Sequence, residues 1–275
     1  MNTSTAMPLP LIAQAEKTTP SRSCKTERSA LWSTLEDVCQ LLQLDIKVHD
    51  ATLDALFQHR KLKPGEQAYR IGQEFEALYV VNAGFLKNVM FDTEGNERVV
   101  SFPMKGDLLG SDGICDDRHA SEVVALSDCD LIVIPFKQLL SLGHACQELE
   151  HIIYRVVSRQ IVQENSSLAT LGSLRSDARV ARFLAIEADR HAALKYSAQS
   201  FRLRMTRREI GSYLGLTLET VSRSMSALGA AGIIYVDQRD IQILKPQSLR
   251  SLQDVNSIST KKHREILQAE LAAEL

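Results

Sequence analysis

No stretch of the sequence is long and apolar enough to span a membrane, because a spanning helix needs about 20 consecutive apolar residues. Residues 1–23 lack a positively charged start followed by an apolar core, so a secretory signal is not expected there. The five cysteines are odd in number and scattered, which excludes a disulfide framework and makes a reducing cytoplasm the expected compartment. No nucleophile–base pair, phosphate-cradling loop or metal-spaced His/Glu set appears, so the chain is not expected to be an enzyme.

What is present is unevenly distributed. The net charge of -2 hides a division. Between Arg175 and Arg250 there are thirteen Lys and Arg against seven Asp and Glu, leaving nineteen against twenty-seven elsewhere. An acidic body with a basic C-terminal part fits one domain that meets a polyanion and one that does not. A chain of 275 residues can hold two modest domains with proper cores.

Residues 1–28 are rich in Ser, Thr and Pro and read as an N-terminal arm. From Ser29 to about Arg60 two stripes predict helices: Leu31, Leu35, Val38, Leu41 and Leu42, then Leu53, Leu56 and Phe57. From Leu62 short strands alternate with turns such as Lys63–Glu66 and Asp92–Asn96. The predicted strands include Ala77–Val81, Phe85–Phe91, Arg98–Phe102, Ala120–Leu126 and Asp130–Ile134. That spacing predicts a β-barrel or jelly roll.

Helical pattern returns at Phe136, and Gln147 to about Leu174 is free of Gly and Pro until Gly172. Its seam, Tyr154, Val157, Ile161, Glu164, Leu168 and Leu171, advances in steps of three and four. Such a seam predicts a parallel helix dimer, with packing on the barrel as a second use of the same helix. Glu164 either faces its own copy across the dimer, where two carboxylates repel, or points off the seam into water.

The stretch Met205–Tyr235 carries the most specific pattern. Thr206 and Glu209 have capping-box spacing, and Ile210 and Leu214 share a face. Gly215 stands where a sharp turn favours positive φ. Thr217 can cap a second helix with Val221, Met225 and Leu228 as its apolar stripe and Glu219, Ser222 and Arg223 opposite. This is the helix-turn-helix pattern, whose second helix lies in the DNA major groove. Arginine can pair with guanine, a carboxylate can accept from the cytosine amino group, and serine can do either. Thr206, Arg207, Thr217 and Thr220 are further candidate DNA contacts. Ile233–Val236 and Ile241–Leu244 read as a closing hairpin, giving a winged helix.

The order of helices, barrel, long helix and winged helix-turn-helix resembles the Crp/Fnr family of bacterial transcription regulators over about Ser29–Pro246, most strongly in Phe201–Arg223. The implied fold class is α+β: a cyclic-nucleotide-binding-like jelly roll at 29–145, a dimerisation helix at 146–174, a winged helix at 175–250 and a tail at 251–275. Glu219, Ser222 and Arg223 match the Fnr recognition helix residue by residue, within a recognition helix expected at 217–228. The resemblance implies a homodimer on double-stranded DNA at a palindrome close to TTGAT-N4-ATCAA. It also implies contacts to RNA polymerase near Asp92–Asn96 and Lys195–Ser200. Ile161 and Glu164 resemble the Fnr pair in which acidic repulsion opposes dimerisation.

The family's sensor motifs are where the sequence departs. A [4Fe-4S] cluster needs four thiolates brought together. Cys24 and Cys39 are fifteen residues apart, and the position of the fourth ligand before Ile134-Pro135-Phe136 is Ile132, with Cys129 three residues earlier. The segment that would hold cyclic AMP reads Gly110-Ser111-Asp112-Gly113, and His119-Ala120 stands in place of Arg-Ser, with Arg118 one residue away. Neither cofactor is expected. Cys115, beside Asp116, Asp117 and Arg118, is a candidate redox thiol, and His119, His144 or His151 are the only candidates offered for haem. The alternative to a DNA-binding regulator is an effector-binding signalling module with DNA binding secondary.

Overall fold

The computed structural model describes residues 32–44, 56–145, 154–162 and 174–252. A short strand, β1 (Trp32–Thr34), leads into helix α1 (Leu35–Leu41), whose capping box is closed by Thr34 and Asp37. The strands β2 (Leu56–Leu62), β3 (Gln67–Tyr69), β4 (Ala77–Ala83), β5 (Leu86–Phe91), β6 (Glu97–Ser101) and β7 (Leu108–Leu109) follow. After a single 3-10 turn, Ser111–Gly113, come β8 (Glu122–Ala125) and β9 (Cys129–Pro135).

These strands form two antiparallel sheets, ordered β1-β2-β9-β4-β7 and β3-β8-β5-β6. The expected jelly roll is therefore present. Its central strands are apolar on both faces, for a reason the topology makes plain. From β4 and β9, Leu78, Val80, Ile132 and Ile134 face outward onto α1, together with Leu35, Val38 and Phe57. Their alternates Ala77, Tyr79, Val81 and Leu131 face inward with Tyr69, Leu86 and Val123. Strand alternation thus serves two cores at once.

The second helical stripe does not extend to Leu56 and Phe57. Leu56 and Phe57, placed on a helical stripe by spacing, lie on β2, which pairs with β1 and β9. The fully buried Phe57 occupies the outward core. Its first half, Leu56 to Gln58, pairs with β1 and its second half, His59 to Leu62, with β9, and this pairing satisfies backbone groups along the segment. Leu31 and Leu53 lie outside the described residues. The strands β1, β2 and β3 do not follow from the spacing, which reads Ser29 to about Arg60 as helical and Lys63–Glu66 as a turn.

Helix α2 (Phe136–Ala145) starts where expected. Residues 154–162 are helical, here α3. Along α3 Val156 packs against the outward barrel core, whereas Tyr154 and Ile161 are 62% and 52% exposed. One side of this helix packs on the barrel and another is exposed. Glu164, Leu168 and Leu171 lie outside the described residues.

The C-terminal part runs α4 (Ser176–Ala193), β10 (Ser200–Arg202), α5 (Arg207–Leu214), α6 (Leu218–Ala230), β11 (Ile234–Asp237), β12 (Asp240–Ile243) and α7 (Pro246–Ser251). The strands make a three-stranded wing, β10-β12-β11. Val180, Phe183 and Leu184 of α4, Ile210 and Leu214 of α5, and Val221, Met225 and Leu228 of α6 share one core with the wing. That core continues into the barrel through Val89, Val99 and Phe102. No helix among the described residues is long and apolar enough to cross a membrane.

Candidate nucleic-acid interface

Helix α5 begins on the capping box that the spacing predicts. Thr206 Oγ1 accepts from the Glu209 amide at 3.2 Å, and Glu209 Oε2 accepts from the Thr206 amide at 2.7 Å. The helix ends at Gly215, whose φ is 64°, and the Leu216 amide returns to the Gly211 carbonyl at 2.8 Å. Thr217 then caps α6 by accepting from the Thr220 amide at 3.2 Å. Val221, Met225 and Leu228 are buried beneath α6, Glu219 and Arg223 are exposed, and Ser222 is half-buried between them.

The exposed end of α6 combines three kinds of recognition chemistry. The Glu219 carboxyl is held below its ordinary value by its own backbone N–H, by Thr217, and by nearby Arg223 and Arg208. It is an acceptor at neutral pH. Arg223 supplies a forked donor, and Ser222 can donate or accept. The first-turn amides of α6 also favour an anion such as phosphate.

The back of α6 is fixed by contacts that sequence spacing did not reveal. Buried Ser224 donates to Asp177 of α4 at 2.5 Å. Arg179 of α4 donates to the carbonyls of Leu174 at 2.9 Å and Leu214 at 3.1 Å, tying the start of α4 to the end of α5. Both residues lie on faces that read as ordinary amphipathic helix, so only the crossing of helices shows their use. Arg207 proves to be half committed to the fold, donating to the Gln238 carbonyl of the wing turn at 2.9 Å. Desolvation, with Arg239 adding repulsion, lowers its ordinarily very high pKa. Arg208, its neighbour, is exposed and was not singled out by spacing.

The helix-turn-helix is also docked on the barrel of its own chain. Lys87 of β5 lies 2.6 Å from Glu97 and 3.2 Å from Glu209. The Val99 amide donates to Ser212 Oγ of α5 at 2.9 Å. Phe102, Phe183 and Tyr213 form an aromatic triangle with centroids 5.4–6.1 Å apart. Arg190 of α4 donates to the Phe102 carbonyl at 2.9 Å and pairs with Asp107 and Glu187.

The described cysteines do not fit a shared cluster. Cys39 lies in the outward core and Cys129 in the inward one. Burial raises both thiols, with Glu36 adding to the effect at Cys39 and hydrogen bonds at Cys129 opposing it only in part. Cys115 is exposed on the loop after the 3-10 turn, and Ile132 is fully buried. Cys24 and Cys146 lie outside the described residues. Among the described residues no group of three or more His, Cys, Asp and Glu could hold a metal ion. His119 is sealed in the barrel, stacked on Tyr69 with centroids 3.8 Å apart. Nothing is described for the side chain of His144, and His151 lies outside the described residues. Arg118 is exposed and turned to the Gly72 carbonyl at 2.8 Å. The Asp92–Asn96 turn and the Lys195–Ser200 segment are both mainly exposed.

A jelly roll coupled to a winged helix with a capped, exposed second helix defines a DNA-binding transcription regulator. Comparison with known proteins agrees. The family model described as a cyclic nucleotide-binding domain matches residues 59–145, and a Crp-like helix-turn-helix domain matches residues 178–252. The chain is 37% identical to the transcriptional regulatory protein Btr of Bordetella pertussis over 201 residues, 73% of this chain and 83% of that protein. It is 33% identical to the transcriptional activator protein Anr of Pseudomonas protegens over 219 residues, 80% of this chain and 90% of that protein. Among solved structures, FixK2 from Bradyrhizobium japonicum superposes with a TM-score of 0.66 at 25% identity, covering 75% of this chain and 100% of that one. The chain belongs to the Crp/Fnr family of transcriptional regulators.

Proposed function

We propose that this regulator acts as a homodimer on a palindrome close to TTGAT-N4-ATCAA, with one α6 in the major groove of each half-site. The observation that carries this reading is the set of exposed Glu219 and Arg223 with half-buried Ser222 between them on the capped first turns of α6. Arg223 reads guanine, Glu219 accepts from cytosine, and Ser222 completes the contact. Thr206, Thr217, Thr220 and the part-committed Arg207 supply positioning contacts to phosphate. The exposed Tyr154 and Ile161, with Val157 between them, form the start of the dimer seam, which continues through Glu164, Leu168 and Leu171. In this reading a dimerisation segment at 146–174 separates a barrel domain at 29–145 from a DNA-reading domain at 175–250. By analogy with relatives named as activators, the Asp92–Asn96 turn and the Lys195–Ser200 segment meet RNA polymerase in the cytoplasm.

The test is Arg223→Ala. Each specific base pair contact contributes about 1–3 kcal/mol, so losing one in each half-site lowers operator affinity about 30-fold or more. Fluorescence anisotropy on the palindrome and on a scrambled duplex should show loss of the specific component alone. Sedimentation should show an unchanged dimer. Unaltered affinity for the palindrome refutes the assignment.

A further inference from the structure

The barrel holds a polar cluster for which the DNA-reading role has no use. The 3-10 turn Ser111–Gly113 turns the Asp112 carboxylate toward residues 119–121. Its Oδ2 accepts from the Ser121 amide at 2.9 Å and from the Ser121 hydroxyl at 2.8 Å. Its Oδ1 lies 3.3 Å from His119 Nδ1. The His119 side chain is 1% exposed, with its ring flat on Tyr69 and at the edge of Phe75. The Tyr69 hydroxyl accepts in turn from the Gly110 amide at 3.1 Å. A backbone amide, a hydroxyl and an imidazole converging on one carboxylate make an anion cradle. Burial opposes ionisation of Asp112, but the bonds from His119 and Ser121 outweigh it, and the carboxyl sits below its ordinary value. The cradle therefore holds an anion at neutral pH.

The same turn touches the helix that presents the dimer seam. Ser111, next to Asp112, donates from Oγ to Gln160 Oε1 of α3 at 3.0 Å. Gln160 adjoins Ile161, which is 52% exposed on the seam. The carboxylate and the serine that bonds α3 thus sit side by side on one turn.

We propose that Asp112 is a built-in effector: its carboxylate fills the anion position of the barrel from within the chain and keeps Ser111 on Gln160. The dimeric, DNA-competent arrangement then persists with no diffusible anionic ligand. The inference rests on the reading of α3 as a dimer helix. It assigns to the barrel an anion site of carboxylate size that is permanently self-occupied.

Chemical rescue tests it on the full-length chain. Asp112→Ala empties the cradle, and because Asp112 is 24% exposed the vacancy is open to a small solute. Sodium formate is the probe, with sodium chloride at equal ionic strength as the control. The expected result is a dimer dissociation constant raised tenfold or more in Asp112→Ala, restored saturably by formate and not by chloride. Operator affinity should follow, and wild-type protein should ignore formate. Asp112→Asn, which keeps the shape, should be weakened and insensitive to formate. Should Asp112→Ala fail to fold, formate-dependent recovery of its circular dichroism takes the place of the dimer measurement. Wild-type dimerisation in both variants overturns the inference. So does a weakened Asp112→Ala that formate leaves unchanged, or one that formate stabilises thermally without restoring the dimer. If wild-type protein itself fails to bind the palindrome, the proposed function falls, while formate-dependent dimerisation still decides this inference.

Discussion

Replacing Gly211 by alanine sets two effects of opposite sign against each other. Gly211 lies within α5, where alanine is the better helix former by about 1 kcal/mol. Yet a Cβ there would come 2.7 Å from the Leu216 carbonyl oxygen and 3.4 Å from the Thr217 carbonyl carbon. The first distance is well inside the usual non-bonded separation of about 3.5 Å. Both neighbours are backbone, and the Leu216 amide is itself bonded to the Gly211 carbonyl at 2.8 Å. The clash therefore cannot be relieved by rotating a side chain. Forcing a methyl into such a site costs about 1–3 kcal/mol, so the clash outweighs the propensity gain and about 1 kcal/mol of stability is lost. Relief also moves Thr217 and the first turn of α6, so operator affinity should fall by more than the stability change alone implies. Gly229→Ala is the control, because its added Cβ meets only the Ile234 carbonyl at 3.8 Å. That variant should be neutral or gain up to about 1 kcal/mol. Urea unfolding followed by circular dichroism, with anisotropy on the operator, measures both quantities. If Gly211→Ala is as stable as Gly229→Ala and binds as tightly as wild type, the reasoning fails.

Two other perturbations address the docking of the DNA-reading part on the barrel and the cap of its recognition helix. Lys87→Met leaves Glu97 and Glu209 without their shared cation and should cost about 1–3 kcal/mol, because the Lys87 and Glu209 side chains are only 15% and 17% exposed; faster proteolytic cleavage between barrel and wing would report it. The pH dependence has a definite sign. Burial opposes ionisation of Glu209, but Thr206 and Lys87 together hold its carboxyl below 4.5, so its contribution is complete above that value and is lost as pH falls through the lowered one. Lys87 behaves in the opposite sense. Burial opposes its charge, but Glu97 and Glu209 prevail and raise it above 10.5, so its contribution is complete below that value and fades as pH rises through the raised one. Docking should therefore be level between these limits and weaken in acid, and Lys87→Met should flatten the acid limb. Thr217→Ala removes the cap of α6 and should cost about 1 kcal/mol, with Thr217→Asn keeping most of it; thermal melts of the two variants, side by side, decide whether the hydroxyl is the active element.

The winged helix was almost wholly legible in the sequence, since its signals are local. A Thr with a Glu three residues on, a glycine at the turn and an apolar stripe at helical spacing each act within a few residues of the chain. The barrel was legible as a class, because turns punctuate its strands, but not strand by strand. The segment at Leu56 reads as a helix until β1 is placed beside Leu56 to Gln58 and β9 beside His59 to Leu62, because strand pairing depends on partners distant in sequence.

What the sequence determined alone is therefore the class of output: a helix-turn-helix with Glu219, Ser222 and Arg223 opposite its apolar stripe, and the family to which the chain belongs. Tertiary structure decided how the face is held and what fills the barrel. Lys87 meets Glu209, Arg179 meets Leu214, and Ser224 meets Asp177, all across gaps of many residues that no local pattern encodes. In the barrel, Asp112 read as a mere departure from a nucleotide-binding segment. The fold brings Ser121 and His119 onto its carboxylate and makes of that departure an occupied anion cradle, because the loop between β7 and β8 is folded back on itself by bonds to a distant segment, the His119 amide on the Gln73 carbonyl and the Phe75 amide on the Asp117 carbonyl, both at 2.9 Å.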